Sequence, residues 1–182
     1  EVDHVYENGD VAGTEVSNAL TQAIEHEQAD HVLAQAGEVL VFGEVVLEIV
    51  WPSQEKKDDR DSDRNASSVV ILLTYGETTI LFTGDAEEVV ESEIIEQVRD
   101  IDVLKVGHHG SISSSSVDFL NQAQPEVAII SVGEENRYGH PHPVVLDRLQ
   151  DRDIQVYRTD NDGDILLRSL GGEPTFLLSP LS

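Results

Sequence analysis

The clearest pattern in the chain is a pair of apolar runs around a short polar turn, in the segment "SSVVILLTYGETTILFTGD" that ends at Asp85. The first run is apolar at nearly every position, which is typical of a strand buried on both faces. The polar residues Tyr75–Thr78 separate it from the second run. The pattern therefore predicts two strands joined by a tight turn.

Helical and strand patterns alternate after Asp85. The segment "EEVVESEIIEQVRD" has apolar residues at helical spacing and acidic residues at its start, where the helix dipole stabilises negative charge. The apolar residues of this helix are Val89, Val90, Ile94, Ile95 and Val98. The later elements are a strand at Val103–Val106, a short helix at Ser116–Gln122, the strand "EVAIISVG", a helix that begins at Pro143 and the strand "IQVYRT". This order predicts a layered α/β fold.

Shorter elements are predicted on either side of this central region. A strand around His4–Tyr6 precedes a helix over Ser17–Ala36, with Ser17 as its N-cap. The run "GEVLVFGEVVLEIVWP" predicts a tight hairpin that breaks at Gly43 and stops at Pro52. Near the end of the chain, "DNDGDILLRS" predicts a second hairpin, which turns at Asp162-Gly163.

The chain shows one charged interruption and no internal repeat. Residues 53–64 lie within "SQEKKDDRDSDRNA", which is nearly free of apolar side chains and predicts a solvated loop. A chain of 182 residues is long enough for one sizeable core. We therefore expect a single domain over residues 1–182.

The charge of the chain is strongly negative. Its 36 Asp and Glu residues against 11 Lys and Arg give a formal net charge of -25, and the acidic residues are spread along the sequence. Since salt at 1 M shortens the Debye length to about 3 Å, such a surface is tolerated best at high salt. The composition favours a halophilic protein, with an ordinary acidic protein as the alternative. The longest apolar run is far shorter than a membrane helix requires, so we expect no transmembrane segment.

Three predicted strands end in a small residue followed by polar side chains. These strand ends are Thr83-Gly84-Asp85, Val106-Gly107-His108-His109, and Val132-Gly133, which leads to "EENRYGHPHP" and His140. Ligands of sheet-based enzymes bind on loops at strand ends. Each segment also has a purely structural interpretation: a helix N-cap, a capped turn and a rigid His-Pro turn, respectively.

Considered together, the three strand ends supply four histidines and one aspartate, a ligand set that suits Zn or Mn. The chain has no Cys, so thiolate ligands and disulfides are excluded. Two metal ions about 3.5 to 4 Å apart activate water and stabilise both reacting oxygens in phosphodiester cleavage. The residue types therefore favour a metal-dependent hydrolase.

The residues and the order of these motifs resemble those of a known family. "LFTGDAEE", "DVLKVGHHGS" and "NRYGHPHP" resemble the C-terminal part of the metallo-β-lactamase-fold domain of the DNA-internalisation competence protein ComEC and its stand-alone relatives. The resemblance runs from Asn65 to Ile165. It implies an αββα sandwich with its site at one edge of two sheets. It also implies a metal-dependent nuclease acting on DNA, with two divalent ions, Zn or Mn, in the complete domain.

The resemblance assigns roles to individual residues. Asp85 matches a bridging metal ligand, and His108 matches the histidine ligand that follows it. His109 and His140 are placed at the rim as catalytic residues. The residues implied or considered for substrate binding are Ser111, which is expected to face outward with His109, Asn136, Asn65 and Lys105, whose positive charge suits a phosphate backbone.

The chain departs from the family at its first metal motif, H-x-(H/D)-x-D-H followed by Gly-Gly. The nearest string is "HEQADH", His26–His31, but Gln28 stands at a ligand position and no apolar strand precedes the string. We interpret it as surface helix. The segment Val2–Pro52 resembles the part of the family that follows this motif. We therefore expect a domain that is incomplete at its N-terminus and holds its metals only in part or not at all.

Three functions are compatible with the sequence. The first is a phosphodiesterase or nuclease that cleaves DNA by two-metal activation of water, and DNA or another phosphodiester is then the partner. The second is a hydrolase of the same fold for a small ester, thioester or lactam, and the third is a catalytically incomplete structural module. The resemblance implies an extracytoplasmic or secreted domain, with a membrane-channel domain in the full-length protein; the cytoplasm of a halophile is the alternative location.

Overall fold

The fold consists of strands and helices within residues 2–9, 13–53 and 64–179, the part of the chain that the computed structural model describes. The strands are β1 (His4–Glu7), β2 (Asp30–Leu33), β3 (Val39–Phe42), β4 (Val45–Trp51), β5 (Val70–Tyr75), β6 (Thr78–Phe82), β7 (Val103–Lys105), β8 (Val127–Ile130), β9 (Gln155–Arg158), β10 (Asp164–Arg168) and β11 (Thr175–Ser179). The α-helices are α1 (Glu15–Glu27), α2 (Glu88–Ile94), α3 (Val117–Ala123), α4 (Pro143–Gln150) and α5 (Thr159–Asp162).

Strands β3 to β9 form one seven-stranded sheet in sequential order. The pairs from β3 to β6 are antiparallel, and the pairs from β6 to β9 are parallel. Helices α2, α3 and α4 each lie between two successive parallel strands. Because parallel strands run in the same direction, the loops that follow β6, β7 and β8 leave the sheet at one edge.

The two faces of this sheet pack against different layers. On one face, the strand residues Leu81 and Leu104 share a large core with Val90, Phe119 and Leu149 of helices α2, α3 and α4. On the other face, a smaller cluster joins the sheet to the hairpin of β10 and β11; its members are Ile80, Val103, Val127, Leu73, Ile129, Tyr157, Leu167 and Phe176. The layers are therefore helix, sheet and second sheet, and the predicted α/β class is confirmed.

The strands predicted in the centre of the chain are confirmed. Strands β5 and β6 pair around a turn with Tyr75 opposite Thr78, and β3 pairs with β4 around Gly43. The neighbours Leu72 and Leu73 of β5 pack into the larger and the smaller core, respectively. This burial on both faces explains why β5 is apolar at nearly every position.

The predicted helix over Ser17–Ala36 is wrong in its second half. Helix α1 ends at Glu27, and the following residues form β2, which pairs in parallel with β1. The N-cap is Thr14, whose Oγ1 accepts a hydrogen bond from the Ser17 backbone N–H at 3.1 Å. A four-residue strand that depends on a distant partner leaves little trace in local sequence, so the helix was overextended.

The interpretation of "HEQADH" as surface helix holds for only part of that string. His26 lies in the last turn of α1, whereas His31 lies on β2. Nε2 of His31 is 2.9 Å from Oε1 of Glu7 on β1. His31 therefore belongs to a strand pair and not to a helix.

The terminal hairpin forms at a different place from the predicted one. Asp162 ends the short helix α5, and its carboxylate accepts a hydrogen bond from the Arg158 backbone N–H at 2.7 Å. The hairpin consists of β10 and β11, with Arg168 opposite Thr175. The sequence Asp162-Gly163 is thus a helix end and not a hairpin turn. Of the predicted charged loop 53–64, residues 54–63 lie outside the described part of the chain.

Helix α2 also differs from its predicted pattern. Val89, predicted on the apolar face, is 70% exposed, whereas Glu91 is only 2% exposed. The helix ends at Ile94, before the end of the apolar pattern. No helix within residues 2–9, 13–53 and 64–179 is both long and apolar enough to cross a membrane.

Candidate active site

The three polar strand ends meet at the carboxyl edge of the parallel strands. Nε2 of His109, in the loop after β7, lies 3.6 Å from Oδ1 of Asp85, in the loop after β6. The ring of His108 has its centroid 6.3 Å from that of His109 and 5.6 Å from that of His140, in the loop after β8. The fold therefore brings one carboxylate and three imidazoles from the predicted strand ends into one cluster.

The two adjacent histidines lie in a tight turn between two glycines. His108 and His109 have φ angles of 44° and 55°, a left-handed conformation that costs a non-glycine residue on the order of 1–3 kcal/mol. A Cβ atom on Gly107 would lie 2.5 Å from the Ala86 carbonyl oxygen. Gly110 has a φ of +81°, and a Cβ there would lie 2.7 Å from Cβ of Pro141. The glycines thus permit the tight turn that brings both imidazoles to the site.

Hydrogen bonds define the orientation of His109. Its Nδ1 lies 2.7 Å from the Ser131 carbonyl oxygen, which can only accept, so Nδ1 carries the proton. Nε2 of the neutral ring is then an unprotonated nitrogen directed at the Asp85 carboxylate. Metal-binding histidines have this arrangement, with one ring nitrogen bound to a backbone carbonyl and the other free for the ion.

His108 is held by a carboxylate that sequence reasoning missed. Its Nδ1 lies 2.7 Å from Oε1 of Glu87, and the same oxygen accepts a hydrogen bond from Nδ2 of Asn65 at 3.2 Å. Burial raises the pKa of Glu87, but hydrogen bonds from Ser113, His108 and Asn65 outweigh it, and the pKa lies below its usual value. Glu87 is therefore ionised at neutral pH. Its position two residues after Asp85 in "GDAEE" was the available sequence signal.

The segment around Asn65 is fixed against both the sheet and the Asp85 loop. The indole Nε1–H of Trp51 on β4 donates to the Ala66 carbonyl oxygen at 2.8 Å. The backbone N–H of Asp85 donates to Oγ of Ser68 at 3.0 Å. Asn65 thus reaches the site through contacts with Glu87 and His108, and its role in substrate binding stays a prediction.

His140 is half-buried beside His108. Its Nδ1 is buried and has no hydrogen-bond partner among the described residues. Burial lowers the pKa of His140, and repulsion from His108, His109 and His142 lowers it further. The ring of Tyr138, 83% exposed, stacks on His140 with 5.9 Å between centroids and 16° between planes.

Asn136 organises the loop that carries His140. Its Nδ2 donates to the carbonyl oxygens of Gly133, at 3.1 Å, and His140, at 2.7 Å. Its Oδ1 accepts from the His140 backbone N–H at 2.9 Å. The side chain predicted to bind substrate therefore braces its own loop, and a contact with substrate stays a prediction.

Two other predicted substrate-binding residues are engaged within the protein. Ser111 is 7% exposed, and its Oγ lies 2.9 Å from Oγ of Ser113, so the expectation that it faces outward is wrong. The Lys105 ammonium donates to the Val106 carbonyl oxygen at 3.0 Å. Burial lowers the pKa of Lys105, and the nearby Asp85 charge opposes this shift. Both substrate-binding roles stay predictions.

The side chains fit a metal ion in chemical type but not in number. Asp85 and His109 offer an oxygen and a nitrogen donor that Zn and Mn accept. Within residues 2–9, 13–53 and 64–179, however, no group of three or more His, Cys, Asp or Glu side chains is placed to hold a metal ion. Catalytic zinc sites use three protein ligands. A complete site therefore needs ligands beyond those described, and the assignment of His108 as a ligand stays a prediction.

Comparison with known proteins identifies relatives of this chain. Residues 63–134 match the metallo-beta-lactamase superfamily. The chain is 40% identical to ComE operon protein 3 of Bacillus subtilis over 146 residues, which are 79% of this chain and 18% of that protein. It is 43% identical to Recombination protein 2 of Haemophilus influenzae over 101 residues, 56% of this chain and 13% of that protein. Competence protein ComA of Neisseria gonorrhoeae is 36% identical over 122 residues, with 65% and 17% covered. The chain thus spans less than a fifth of these relatives.

Solved structures show the same fold at low sequence identity. A protein of Parabacteroides distasonis described as a metal-dependent hydrolase has a TM-score of 0.52 and 15% identity, with 86% of this chain and 64% of that chain covered. CmlA, a diiron beta-hydroxylase of Streptomyces venezuelae, has a TM-score of 0.51 and 15% identity, with 83% and 35% covered. One fold therefore hosts different chemistries. The sequence relatives are more specific: this chain is a metallo-β-lactamase-fold domain of the ComEC competence-protein type.

Proposed function

We propose that this domain is the catalytic part of a metal-dependent phosphodiesterase that cleaves DNA. The observation that carries the proposal is the convergence of Asp85, His108, His109 and His140 at one edge of the sheet. Competence and recombination, the processes for which the relatives are named, both act on DNA. The superfamily itself supports a metal-dependent hydrolase.

The described residues suggest a division of tasks around the substrate. In the neutral His109 ring the proton lies on Nδ1, which leaves the lone pair of Nε2 directed at Asp85, so this pair is the part of the site suited to a cation. His140 has a lowered pKa and is neutral at neutral pH, so it can accept a proton. Tyr138 exposes an aromatic face beside His140. A nucleobase of any type can stack on such a face, so the contact does not depend on the DNA sequence.

The negative charge of the chain sets an unusual salt dependence. DNA-binding proteins that use Lys and Arg lose affinity as salt rises. This chain carries a net charge of -25, so its long-range field repels the phosphates of DNA. We expect the KM for DNA to fall as NaCl rises from about 0.1 M to about 1 M, where the Debye length shortens from about 10 Å to about 3 Å. A KM that rises over this range contradicts the proposed halophilic adaptation.

The test of the function is cleavage of DNA by the full-length natural protein, supplied with Mn or Zn. We expect Asp85→Asn and His109→Ala to lower the rate by more than the roughly 100-fold typical of residues that only support a ligand. His26→Ala serves as the matched control, because His26 is an exposed histidine on α1, remote in sequence from the site. Cleavage that persists unchanged after metal removal contradicts the proposal.

The same experiment separates the alternative functions. Turnover of a small phosphodiester without turnover of DNA selects a small-molecule hydrolase of the same fold. A protein that neither binds metal nor cleaves either substrate is a structural module, an alternative favoured by the lack of a three-residue metal group in the described part of the chain.

We also propose an extracytoplasmic location beside a membrane-channel domain of the natural protein. The support is the kinship with competence proteins that are more than five times as long as the matched segment. Protease added to intact cells should then cleave a tagged form of this domain. Full protection in intact cells, with cleavage after lysis, contradicts the location.

A further inference from the structure

Three of the six residues in the loop that follows the double-histidine turn are buried, despite its polar sequence. We call residues 111–116, "SISSSS", the serine loop. Ser111, Ser114 and Ser115 are 7%, 0% and 1% exposed. Serine-rich loops usually lie in solvent. Because a buried loop has no water to satisfy its backbone N–H and C=O groups, these groups need partners within the protein.

Glu91 of helix α2 supplies partners for the donors at the end of the serine loop. Its Oε1 accepts from the Ser115 backbone N–H at 2.5 Å, and its Oε2 accepts from the Ser116 backbone N–H at 2.8 Å. Both oxygens of one carboxylate are therefore used on two consecutive amides. A buried carboxylate is costly to desolvate, and these two hydrogen bonds offset part of that cost.

Arg148 of helix α4 supplies partners for the acceptors of the same loop. Its Nη1 donates to the carbonyl oxygens of Ser114, at 3.0 Å, Ser115, at 3.3 Å, and Ile112, at 3.4 Å. Hydrogen bonds from a charged group are stronger than those between neutral groups. Helix α2 thus binds backbone donors of the serine loop through Glu91, and helix α4 binds backbone acceptors of the same loop through Arg148.

The serine loop in turn holds the histidine turn. Oγ of Ser114 donates to the carbonyl oxygens of Gly107, at 2.8 Å, and Ser111, at 2.9 Å. The Ser111 backbone N–H donates to the His108 carbonyl oxygen at 2.9 Å. These bonds span the residues before and after the histidine pair. They offset the free-energy cost of the left-handed conformation that the pair adopts.

We propose that Glu91 and Arg148 are positioning residues of the active site, which clamp the serine loop and thereby direct Nε2 of His109 toward Asp85. Neither residue touches substrate in this role. The proposal concerns the geometry of the histidines and uses the proposed function only for one of its two readouts.

The first readout is the state of the histidine rings in the protein without metal or DNA. Two-dimensional ¹⁵N–¹H NMR of imidazole nitrogens reports which nitrogen of His109 carries the proton. In the wild type we expect Nδ1 to be protonated, because it donates to the Ser131 carbonyl oxygen. In Glu91→Gln and Arg148→Lys we expect loss of this single state in favour of a mixture of the two tautomers. Glu96→Gln is the matched control, since it removes the same charge from an exposed position just after the same helix.

The second readout is the cleavage rate of the full-length protein. We expect Glu91→Gln to lower kcat by about 10-fold or more, as for other residues that orient a ligand, with little change in KM. If Glu91→Gln does not fold, Ser114→Ala takes its place, because it removes only the hydroxyl that bonds to Gly107 and Ser111. Histidine signals identical to those of the wild type in every folded variant overturn the proposal. Failure to cleave DNA by the wild type contradicts the proposed function alone, since the histidine signals are measured without DNA.

Discussion

The loops after β7 and β8 both follow parallel strands and both bring histidine side chains to the site, but they are held in opposite ways. The first, residues 107–116, is largely buried and is bound by the side chains of Glu91 and Arg148 from two different helices. In the second, the stretch from Gly133 to Gly139 is exposed except for Asn136, whose side chain braces its own loop.

This difference separates a rigid part of the site from an adaptable part. A buried loop with satisfied backbone groups opens only together with the helices that cover it, whereas an exposed loop opens locally at low free energy. His108 and His109 therefore belong to a fixed floor. His140 and Tyr138 belong to a rim that is able to adjust to a ligand.

The largest expected contrast between the two loops comes from adding one methyl group to each. Gly107→Ala places a Cβ 2.5 Å from the Ala86 carbonyl oxygen, and we expect the free energy of unfolding to fall by about 1–3 kcal/mol. Gly133→Ala meets no atom within 4 Å, and we expect a change within about 0.5 kcal/mol. Urea denaturation of both variants measures this. Equal losses in the two variants contradict the assignment of one rigid and one adaptable loop.

The buried carboxylate beneath the first loop should appear in the pH dependence of stability. Burial raises the pKa of Glu91 above its usual 4.5, although the Ser116 and Ser115 hydrogen bonds oppose the shift. The folded state then retains a proton that the unfolded state has lost, so Glu91 makes stability fall as pH rises above 4.5. Glu91→Gln should remove this component, and its free energy of unfolding should rise relative to wild type with increasing pH. The charge of Glu88 also raises the pKa of Glu91, so Glu96→Gln, at an exposed position just after α2, is the control. An equal pH slope in Glu91→Gln and Glu96→Gln contradicts the prediction.

A smaller effect is expected when the brace of the exposed loop is removed. Asn136→Ala loses three hydrogen bonds at a partly solvated site, so we expect the free energy of unfolding to fall by less than about 1 kcal/mol. Amide hydrogen exchange should accelerate across residues 133–140 and stay unchanged across residues 107–116. Glu135→Ala, at an exposed neighbour, should leave both regions unchanged. Acceleration in both loops would show that they are mechanically coupled.

The smallest effect on stability is expected at the rim. Tyr138→Ala removes a ring that is 83% exposed, so the free energy of unfolding should change by less than about 0.5 kcal/mol. If the proposed function is correct, binding of single-stranded DNA should weaken by about 1–3 kcal/mol, the range for stacking of one base on an aromatic side chain. Fluorescence anisotropy with labelled oligonucleotides measures this, and Tyr138→Phe should bind like the wild type. Unchanged binding in Tyr138→Ala excludes stacking on this ring.

The central sheet and the place of the site could be predicted because their signals are local. Apolar runs mark the buried strands, and the polar residues Asp85, His108 and His140 follow strands that proved to lie side by side. Strand β2 and the hairpin of β10 and β11 could not be located in this way. Their positions depend on pairing with distant segments, while the Asp162-Gly163 signal marks a helix end.

The supports of the site were not predictable for a related reason. Glu87, Glu91 and Arg148 look like surface charges, because acidic residues are frequent throughout the chain and arginine is favoured near the C-terminal ends of helices. Their partners lie 21 to 36 positions away along the sequence, and most of the partners are backbone atoms. A single sequence carries no signal for a hydrogen bond to a distant backbone group. The burial of Ser111 was missed because its loop resembles an ordinary solvated turn.

The Trp51 indole contact gives the domain a built-in optical reporter. Trp51 is the single tryptophan of the chain, is 5% exposed and is bonded to Ala66, next to Asn65 at the site. Excitation of the indole therefore observes one defined position without any label. A shift of its emission when an ion or a nucleotide is added would follow events at the His108 side of the cluster in real time, whereas the rim beside Tyr138 would need a probe of its own.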